Sequence, residues 1–359
     1  MLQLDSISLV QFKNYPAASF EFKERIIGIS GRNGIGKTNL LDAIYYLCFT
    51  KSYFGRSDAL NVHNGSSGFR IEGNFLMETI SAKVVCVMRE SGKKEFSLND
   101  QSYERFSSHI GKFPCVIIAP DDVHIITEAS EERRRFLDAL LSQLNGIYLE
   151  NLIDYNRVLQ QRNSYLRTLE NRRPDNHLLD VYDTQLIKHG TFIFEIRRDF
   201  FTGFIPTVKE FYTQIAGGSE AIDISYKSQL FQTSFEQLLV QFREKDLFMQ
   251  RTNGGVHKDD LEIQLNAQPF KNLASQGQRK SLLFALKLAE FETLKNAKGF
   301  SPLLLLDDVF EKLDAGRMHN LLKWVCVQNE GQIFITDTHQ ERIDSHLREL
   351  GVGYQLLGI

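Results

Sequence analysis

Eight residues near the N-terminus, from Gly31 to Thr38, constrain this chain more than any other stretch. They read G-R-N-G-I-G-K-T and match the pattern G-x-x-x-x-G-K-[ST] at every fixed position. A short apolar run, 26–30, precedes them, and 39–47 repeats apolar residues at helical spacing. The predicted order is therefore strand, loop, helix, which is the context in which this pattern binds phosphate.

Each residue type in this loop suits phosphate binding. Glycines let the backbone approach oxygens closely, and the loop amides and the helix N-terminus supply partial positive charge. Lys37 is predicted to reach the outer phosphates, and Thr38 to offer its hydroxyl to Mg2+. A chance glycine-rich turn is the alternative, which the flanking elements disfavour. The predicted nucleotide-binding residues here are Gly31, Asn33, Gly34, Ile35, Gly36, Lys37, Thr38 and Asn39.

Composition bounds the size of the fold and the kind of partner. The chain has 359 residues, of which 42% are hydrophobic, and this allows two domains with sizeable cores. Its 42 Lys and Arg against 45 Asp and Glu leave a net charge of -3. Because no basic field covers the whole surface, any contact with nucleic acid must come from a local patch.

Cysteine usage and apolar runs indicate the compartment. No C-x-x-C pair occurs, and each cysteine stands in an apolar setting where a buried free thiol is the ordinary state. The four are Cys48, Cys86, Cys115 and Cys326. Asp5 comes too early for a secretory leader, and no apolar run approaches the roughly 18 residues of a membrane span. We therefore expect a soluble, cytoplasmic protein without membrane contact.

Apolar periodicity predicts strand-rich ends and a mainly helical middle, too short for long coiled-coil arms. The predicted strands are 2–10, 18–22, 26–30, 69–76, 80–89, 95–98, 113–118, 222–226, 261–265, 303–306 and 332–336. The predicted helices are 39–47, 131–144, 148–169, 178–215, 235–248, 280–294 and 315–328. We expect the second of the middle helices to end near 172–174, and the third to be interrupted near 203–206.

Two later motifs complete a nucleotide site. Four leucines precede Asp307 and Asp308, as in a buried parallel strand that ends in carboxylates. The first carboxylate is predicted to hold Mg2+ through water, and the second to orient or deprotonate the attacking water. A predicted helix starts at Ser275, Gln276, Gly277 and Gln278, and its N-terminus offers a second anion-binding surface.

Together these stretches resemble a known family. The set G-R-N-G-I-G-K-T-N, S-Q-G-Q-R-K and L-L-L-D-D-V-F-E-K-L-D is similar to the ABC-type ATPase heads of the SMC and Rad50 group. Their spacing, without long arms, is typical of the RecF family within it. Four further segments resemble RecF motifs, namely 12–15, 132–138, 161–163 and 257–261. The resemblance covers nearly the whole chain and is weakest at about 174 to 250.

The family pattern is not matched everywhere. Asp308 stands where most ABC heads have Glu. RecF shares this aspartate, which is consistent with slow turnover. In the loop 311–314 only the last two residues match. Three residues at the end of the switch strand are candidates for sensing the γ-phosphate, and the sequence does not decide between them. They are Thr336, Thr338 and His339. No clear Gln-loop is visible, although 121–122 stands near its expected position.

The resemblance implies an α/β P-loop NTPase of ABC-ATPase head type. The head would comprise 1–125 and 255–359, and a mainly helical second lobe, 126–254, would be inserted between them. Lys13 and Asn14 would lie at the nucleotide, Lys37 and Asp308 would be catalytic, and Thr38 and Asp307 would hold the metal. The signature residues Ser275, Gln276, Gly277 and Gln278 would contact nucleotide as well.

The implied activity is weak ATP hydrolysis that regulates binding to single-stranded, gapped or junction DNA. The cofactors would be ATP and Mg2+, and the chain would form an ATP-dependent homodimer that promotes recombinase loading, replication restart and SOS induction. Implied partners are RecR-type and RecO-type mediators and, indirectly, a RecA-type recombinase. The alternatives are an SMC/Rad50-like ATPase of another DNA-maintenance complex, an ABC transporter motor, and a small-molecule phosphoryl-transfer enzyme.

Several basic residues have two interpretations. The run 133–135 is either a solvated first turn paired with neighbouring glutamates or a DNA or lobe-interface patch. Arg157, Arg162 and Arg167 recur at helical spacing and could form a basic stripe. His257 is interpreted as a structural hydrogen-bonding residue, since no second ligand stands at i+4.

Overall fold

The structure is a computed structural model that describes residues 1–55, 57–169, 175–217, 222–309 and 314–359. Backbone contacts divide the chain into two units, of which the first comprises Met1–Val123, Phe211–Gly218 and Gln276–Ile359. The second unit comprises His124–Glu210 and Ser219–Ser275. The sequence predicts a head that resumes at residue 255, whereas 255–275 group with the second unit by these contacts.

Each predicted strand and helix has a counterpart among the described ones, which also include three strands and three helices that the sequence analysis missed. The strands are β1 (Leu2–Phe12), β2 (Tyr15–Glu21), β3 (Ile26–Ser30), β4 (Phe69–Met77), β5 (Ile80–Met88), β6 (Lys94–Leu98), β7 (Gln101–Ser102), β8 (Cys115–Ile118), β9 (Ile222–Lys227), β10 (Asp260–Leu265), β11 (Gln268–Pro269), β12 (Leu303–Leu306), β13 (Ile333–Asp337) and β14 (Gln355–Gly358). The helices are α1 (Lys37–Phe49), α2 (His124–Thr127), α3 (Ser130–Leu144), α4 (Gly146–Thr168), α5 (Asn176–Ala216), α6 (Phe235–Met249), α7 (Phe270–Leu273), α8 (Gln276–Lys298), α9 (Ala315–Lys323) and α10 (Gln340–Glu349).

A five-stranded parallel sheet carries the phosphate loop in the first unit. Its order is β14-β3-β13-β12-β8, and every neighbouring pair is parallel. All residues of β3, β8, β12 and β13 are buried, which explains why these strands are apolar except at their carboxyl ends, where Ser30, Thr336 and Asp337 stand. Because β3, β13 and β12 are adjacent, the residues that follow their carboxyl ends meet at one edge of the sheet.

A second sheet of the same unit is antiparallel, with the order β2-β1-β4-β5-β6-β7. Helix α1 contacts β4 and β5 of this sheet and β8 and β13 of the parallel one, and it is buried along nearly its whole length. The buried Gln332 amide joins the two sheets. It accepts from the Leu4 amide at 2.7 Å and donates to the Leu4 carbonyl at 3.0 Å.

The second unit combines helices with a three-stranded sheet of order β11-β10-β9. Helix α3 contacts α4 and β10. Buried arginines bind carboxylates inside this unit. Arg197 is 1% exposed and donates to Asp138 at 2.7 Å and to Asp259 at 2.9 Å.

The predicted interruption of the third middle helix is wrong. Helix α5 runs through Pro206 without a break. Proline removes one helical hydrogen bond and crowds the preceding turn. The buried side chains of Phe201, Phe204 and Val208 recur at helical spacing on either side of it, so burial of this face outweighs the local cost.

Other expectations have simple outcomes. The predicted end of α4 near 172–174 lies outside the described residues. All four cysteines are buried and free, as expected. Within the described parts of the chain, none of the helices has the length and apolar character needed to cross a membrane.

Candidate nucleotide-binding site

The loop between β3 and α1 owes its shape to two glycines with left-handed backbone. Gly36 directly precedes α1 with a φ of 126°, and Gly34 has a φ of 79°. A Cβ on Gly36 would meet the Asn14 amide nitrogen at 2.6 Å and the Tyr15 hydroxyl at 2.8 Å. Position 36 therefore requires glycine for both its conformation and its space.

The Lys37 side chain lies inside this loop. It is 5% exposed, and its ammonium donates to the carbonyls of Gly31 at 2.8 Å and Arg32 at 3.2 Å. The charge that the motif supplies is therefore held over the loop and away from bulk solvent. This position is consistent with an ammonium that exchanges backbone carbonyls for phosphate oxygens.

Thr38 and Asp307 meet although they are 269 residues apart. The Thr38 hydroxyl lies 2.9 Å from Asp307 Oδ2 and 3.1 Å from Oδ1. Thr38 is in the first turn of α1, and Asp307 follows β12. Parallel pairing through β13 brings these two positions to the same edge of the sheet.

One further hydroxyl contacts both acidic residues at this edge. The Thr336 hydroxyl, at the end of β13, donates to Asp307 at 2.7 Å and accepts from the Asp308 amide at 3.0 Å. Burial raises the pKa of Asp307, and the Asp308 charge adds to this, while the two threonine hydroxyls and the Lys37 ammonium oppose it. Asp307 is thus surrounded by donors that favour its ionised form.

The turn between β1 and β2 braces the loop from outside. Asn14 donates to the Ile35 carbonyl at 2.5 Å and accepts from Asn39 at 2.6 Å, and the Tyr15 hydroxyl donates to the Gly36 carbonyl at 3.0 Å. Sequence reasoning missed Tyr15, although its place beside Asn14 in the turn was a usable signal. These contacts make Asn14 a support of the loop.

Lys13 has a different role in this arrangement. Its ammonium forms an ion pair with Asp42, a carboxylate of α1 that is fully buried. Asp42 also accepts from the Ser52 hydroxyl at 2.6 Å and from the Tyr53 amide at 2.7 Å. The Lys13 charge is therefore already compensated by α1 next to the loop.

The signature motif begins at Ser275, directly before α8. Ser275 is the last residue of the second unit and is exposed, while Gln276 is exposed at the start of α8 in the first unit. Gly277 and Gln278 are half-buried in the first turn. The motif therefore stands at the N-terminus of a helix, as the sequence predicts.

The switch segment after β13 is organised by Asp337. This carboxylate is fully buried and binds the Arg342 guanidinium through two hydrogen bonds of 2.7 Å each. It also accepts from the His339 amide at 2.7 Å. Thr338 is half-buried and His339 is exposed, so both remain candidates for sensing the outer phosphate.

Two expected loops of the family have mixed outcomes. Asp122 is buried, accepts from the Tyr53 hydroxyl and the Ala119 amide, and faces the Lys287 ammonium at 3.7 Å. This set of contacts is that of a structural residue, whereas Asp121 is exposed. Residues 311–313 of the other loop lie outside the described residues.

Most arginines of the run 133–135 bind acidic residues within the second unit. Arg133 binds Asp260 at 2.6 Å and Arg134 donates to the Asp259 carbonyl at 2.7 Å. Only Arg135 matches the solvated interpretation, since it pairs with Glu131 and Glu132.

The basic stripe that the sequence suggested on α4 is wrong at its centre. Arg162 is fully buried, and its charge is compensated there by ion pairs with the carboxylates of Asp183 and Asp246. His257 confirms its structural interpretation, since its ring nitrogens bond to the Tyr155 hydroxyl at 2.7 Å and the Thr252 carbonyl at 3.0 Å. Burial lowers the pKa of His257 to about 4.

Comparison with known proteins decides the family. The model of the RecF/RecN/SMC N terminal domain matches residues 3–355. A DNA replication and repair protein RecF from Flavobacterium johnsoniae is 40% identical over 359 residues and is covered completely, as is this chain. The chain belongs to the RecF family. Another RecF, from Bacteroides thetaiotaomicron, is 40% identical over 99% of this RecF-family chain and 96% of its own length.

Solved structures agree with this assignment. The recombination mediator protein RecF of the RecFOR pathway, solved as RecF-ATPrS, has a TM-score of 0.86 at 29% identity, over 94% of this chain and 93% of its own. A Pyrococcus furiosus Smc head domain, bound to the C-terminal domain of ScpA, has a TM-score of 0.55 at 14% identity over 96% of this chain and 92% of its own. The predicted ABC-ATPase head fold is thus confirmed for this member of the RecF family.

Proposed function

We propose that this RecF-family chain is a weak ATPase whose nucleotide state controls its hold on DNA during recombinational repair. The observation that carries the proposal is the contact between Thr38 and Asp307, which brings the phosphate loop and the carboxylates together. Relatives named DNA replication and repair protein RecF, and solved RecF structures with ATP, support it.

The donors at this edge fit Mg2+. A threonine hydroxyl and a carboxylate are hard oxygen ligands, the kind that Mg2+ uses together with phosphate oxygens. We assign Thr38 and Asp307 to this role, directly or through water. Held by Thr38 and Asp307, Mg2+ would supply positive charge that offsets the negative charge developing during phosphoryl transfer.

The remaining steps belong to side chains and amides of this chain. Lys37 turns its ammonium from the carbonyls of Gly31 and Arg32 to the outer phosphates, while the loop amides and the start of α1 hold the inner ones. Asp308 accepts a proton from the attacking water as the water oxygen bonds to the γ-phosphorus and the bond between the γ-phosphorus and the leaving oxygen of ADP breaks. An aspartate in this place is consistent with slow turnover.

DNA binding and assembly follow from the family. We propose that this chain binds single-stranded, gapped or junction DNA. Its protein partners would be RecR-type and RecO-type mediators and, indirectly, a RecA-type recombinase. With a net charge of -3, DNA contacts must come from a local basic patch, so affinity should depend on salt and little on base sequence. Residues 1–125 and 255–359 are proposed as the ATPase head, with 126–254 as the inserted lobe.

A binding assay on gapped, single-stranded and duplex DNA, with and without ATP, tests the proposal. The wild type should bind gapped DNA more tightly with ATP, and affinity should fall steeply with salt. Lys37→Met should abolish ATP binding and the ATP effect on DNA, because it removes the charge and keeps an aliphatic stem.

Lys23→Met is the matched control, since Lys23 is an exposed lysine of the first unit. It should behave as the wild type. Equal DNA affinity of the wild type with and without ATP, or normal ATP binding by Lys37→Met, would contradict the proposal.

A further inference from the structure

The end of β13 places one hydroxyl between the two carboxylate residues of the site. Leu306 of β12 is the register partner of Ile335 of β13, so the residues that follow them, Asp307 and Thr336, are neighbours. Thr336 is fully buried. Its Oγ1 lies 2.7 Å from Asp307 Oδ1 and 3.0 Å from the Asp308 amide nitrogen.

The direction of both hydrogen bonds follows from their chemistry. A backbone amide can only donate, so the Thr336 oxygen must accept from Asp308. The single proton of the hydroxyl is then directed at the Asp307 carboxylate. Asp307 is thereby held by two hydroxyls from different elements, Thr38 of α1 and Thr336 of β13.

The hydrogen bond that the Asp308 amide donates to Thr336 matters because of the backbone conformation at Asp308. This residue has a φ of 45°, in the left-handed region that residues with a Cβ rarely adopt. Such a conformation persists only where surrounding contacts hold it. The Thr336 hydroxyl provides one of these contacts, at the amide that starts the strained residue.

We propose that Thr336 is a positioning residue that orients the Asp307 carboxylate towards Mg2+ and holds the backbone from which the Asp308 carboxylate projects. The inference rests on the proposed function and deepens it. Thr336 itself takes no proton and contacts no reacting atom. It couples metal binding at Asp307 to water activation at Asp308 through one oxygen.

Three substitutions separate the hydroxyl from the methyl group. Thr336→Val keeps the shape and loses the hydroxyl, and Thr336→Ser keeps the hydroxyl. Thr336→Ala differs from Thr336→Ser by the oxygen alone, so this pair decides the question if Thr336→Val does not fold. Thr184→Val, at an exposed position of α5 in the second unit, controls for the change of residue type.

Two readouts are needed, since activity alone does not identify the step. The first is the Mg2+ concentration that gives half-maximal binding of a fluorescent ATP analogue, and the second is kcat and KM for ATP at saturating Mg2+. Thr336→Val and Thr336→Ala should need about tenfold more Mg2+ and lose about tenfold in kcat, roughly the cost of one buried group left unpaired. KM at saturating Mg2+ and analogue binding in EDTA should stay near wild type.

Thr336→Ser and Thr184→Val should retain the wild-type Mg2+ requirement and most of kcat. An unchanged Mg2+ requirement in Thr336→Val and Thr336→Ala, with a wild type that binds and hydrolyses ATP, overturns the inference alone. Equal losses in Thr336→Ser and Thr336→Ala also overturn it, because packing would then explain them. A wild type that binds no ATP overturns the proposed function as well.

Discussion

Asp307 and Asp308 are adjacent in sequence but occupy different environments. Asp307 is 4% exposed and accepts from two threonine hydroxyls, whereas Asp308 is half-buried on a left-handed backbone. The first carboxylate suits a fixed ligand, and the second suits a base that can meet water. These roles remain predictions, and substitution can separate them.

Asp308→Asn should keep ATP binding and slow hydrolysis, because an amide of the same shape cannot take the proton. We expect a loss of about a hundredfold in kcat, the usual scale for removing a general base, with little change in nucleotide affinity. Single-turnover hydrolysis and equilibrium ATP binding measure the two quantities. Asp5→Asn, at an exposed position on β1, is the control. Hydrolysis at the wild-type rate by Asp308→Asn would show that another group activates the water.

At the scale of elements, buried charges join helices in both units. Arg162 of α4 binds Asp183 of α5 and Asp246 of α6, and it also donates to the Thr252 hydroxyl at 2.9 Å. Removing Arg162 would leave the buried Asp246 carboxylate without its guanidinium partner, while Asp183 would still pair with Arg243 at 2.8 Å. These ion pairs therefore tie three helices of the second unit together.

Arg162→Met should destabilise the protein by about 3 to 5 kcal/mol, since the fully buried Asp246 carboxylate loses its guanidinium partner, while Asp183 keeps Arg243. Arg157→Met, five residues earlier on α4, should cost less than about 1 kcal/mol because Arg157 is exposed and its ion pair with Asp154 lies at the surface. Urea unfolding followed by circular dichroism measures both. Equal stability of the two variants would mean that the buried cluster contributes nothing specific.

Helix α8 carries a buried charged group of its own. Lys287 lies 3.6 Å from Glu290 and 3.7 Å from Asp122. Burial raises the pKa of Glu290 to about 7, Lys287 opposes this, and Asp122 adds to it. Burial also lowers the pKa of Lys287, but the two carboxylates outweigh it and leave that pKa raised.

These shifts predict how stability depends on pH. The pKa of Glu290 in the folded chain lies above its ordinary value of 4.5, so the folded chain binds this proton more tightly than the unfolded chain. The contribution of Glu290 to the free energy of unfolding is full below about pH 4.5 and is lost as pH rises through about 7, by about 3 kcal/mol at most.

Glu290→Gln should remove this decline. The melting temperature of the variant relative to wild type should therefore increase by several degrees between pH 5 and pH 8. Glu292→Gln, half-buried on the same helix, is the control and should show no such trend. A constant difference between Glu290→Gln and wild type across this range would contradict the assignment.

At the scale of the whole molecule, the prediction concerns a second copy of the chain. The resemblance to ABC-type heads implies that the signature of one subunit closes on nucleotide held by another, and we therefore expect a dimer with two equivalent sites. Ser275 is exposed before α8, so its surface is accessible in the single chain. If this surface contacts the γ-phosphate as we predict, hydrolysis would remove that contact, and the dimer should then release DNA.

Ser275→Arg should leave ATP binding by the monomer unchanged, because Lys37 and Thr38 are untouched, and should block ATP-dependent dimerisation. Light scattering of Asp308→Asn should show a mass that rises when ATP is added. The double variant Asp308→Asn/Ser91→Arg should behave in the same way, because Ser91 is exposed in a turn of the first unit and serves as the control. The combination with Ser275→Arg should stay monomeric. A dimer of the latter with ATP would mean that the signature does not act across a subunit interface.

The sequence by itself determined the phosphate loop, the apolar strands and the family. These features are contiguous: the pattern from Gly31 to Thr38 specifies a local backbone, and each buried strand needs only its own apolar residues. The paired carboxylates after β12 were recognisable for the same reason. No long-range contact has to be known for any of these predictions.

Only the tertiary structure decided how distant residues combine. The bonds of Thr336 to Asp307 and Asp308 depend on the register of β13 against β12, which no single segment encodes. The sequence suggested Arg162 as a surface residue, but in the structure it is buried and forms internal ion pairs. Helix α5 continues through Pro206 because its buried face packs against the rest of the unit. In each case the side chain's role depends on neighbours that are far away in the chain, and folding alone supplies them.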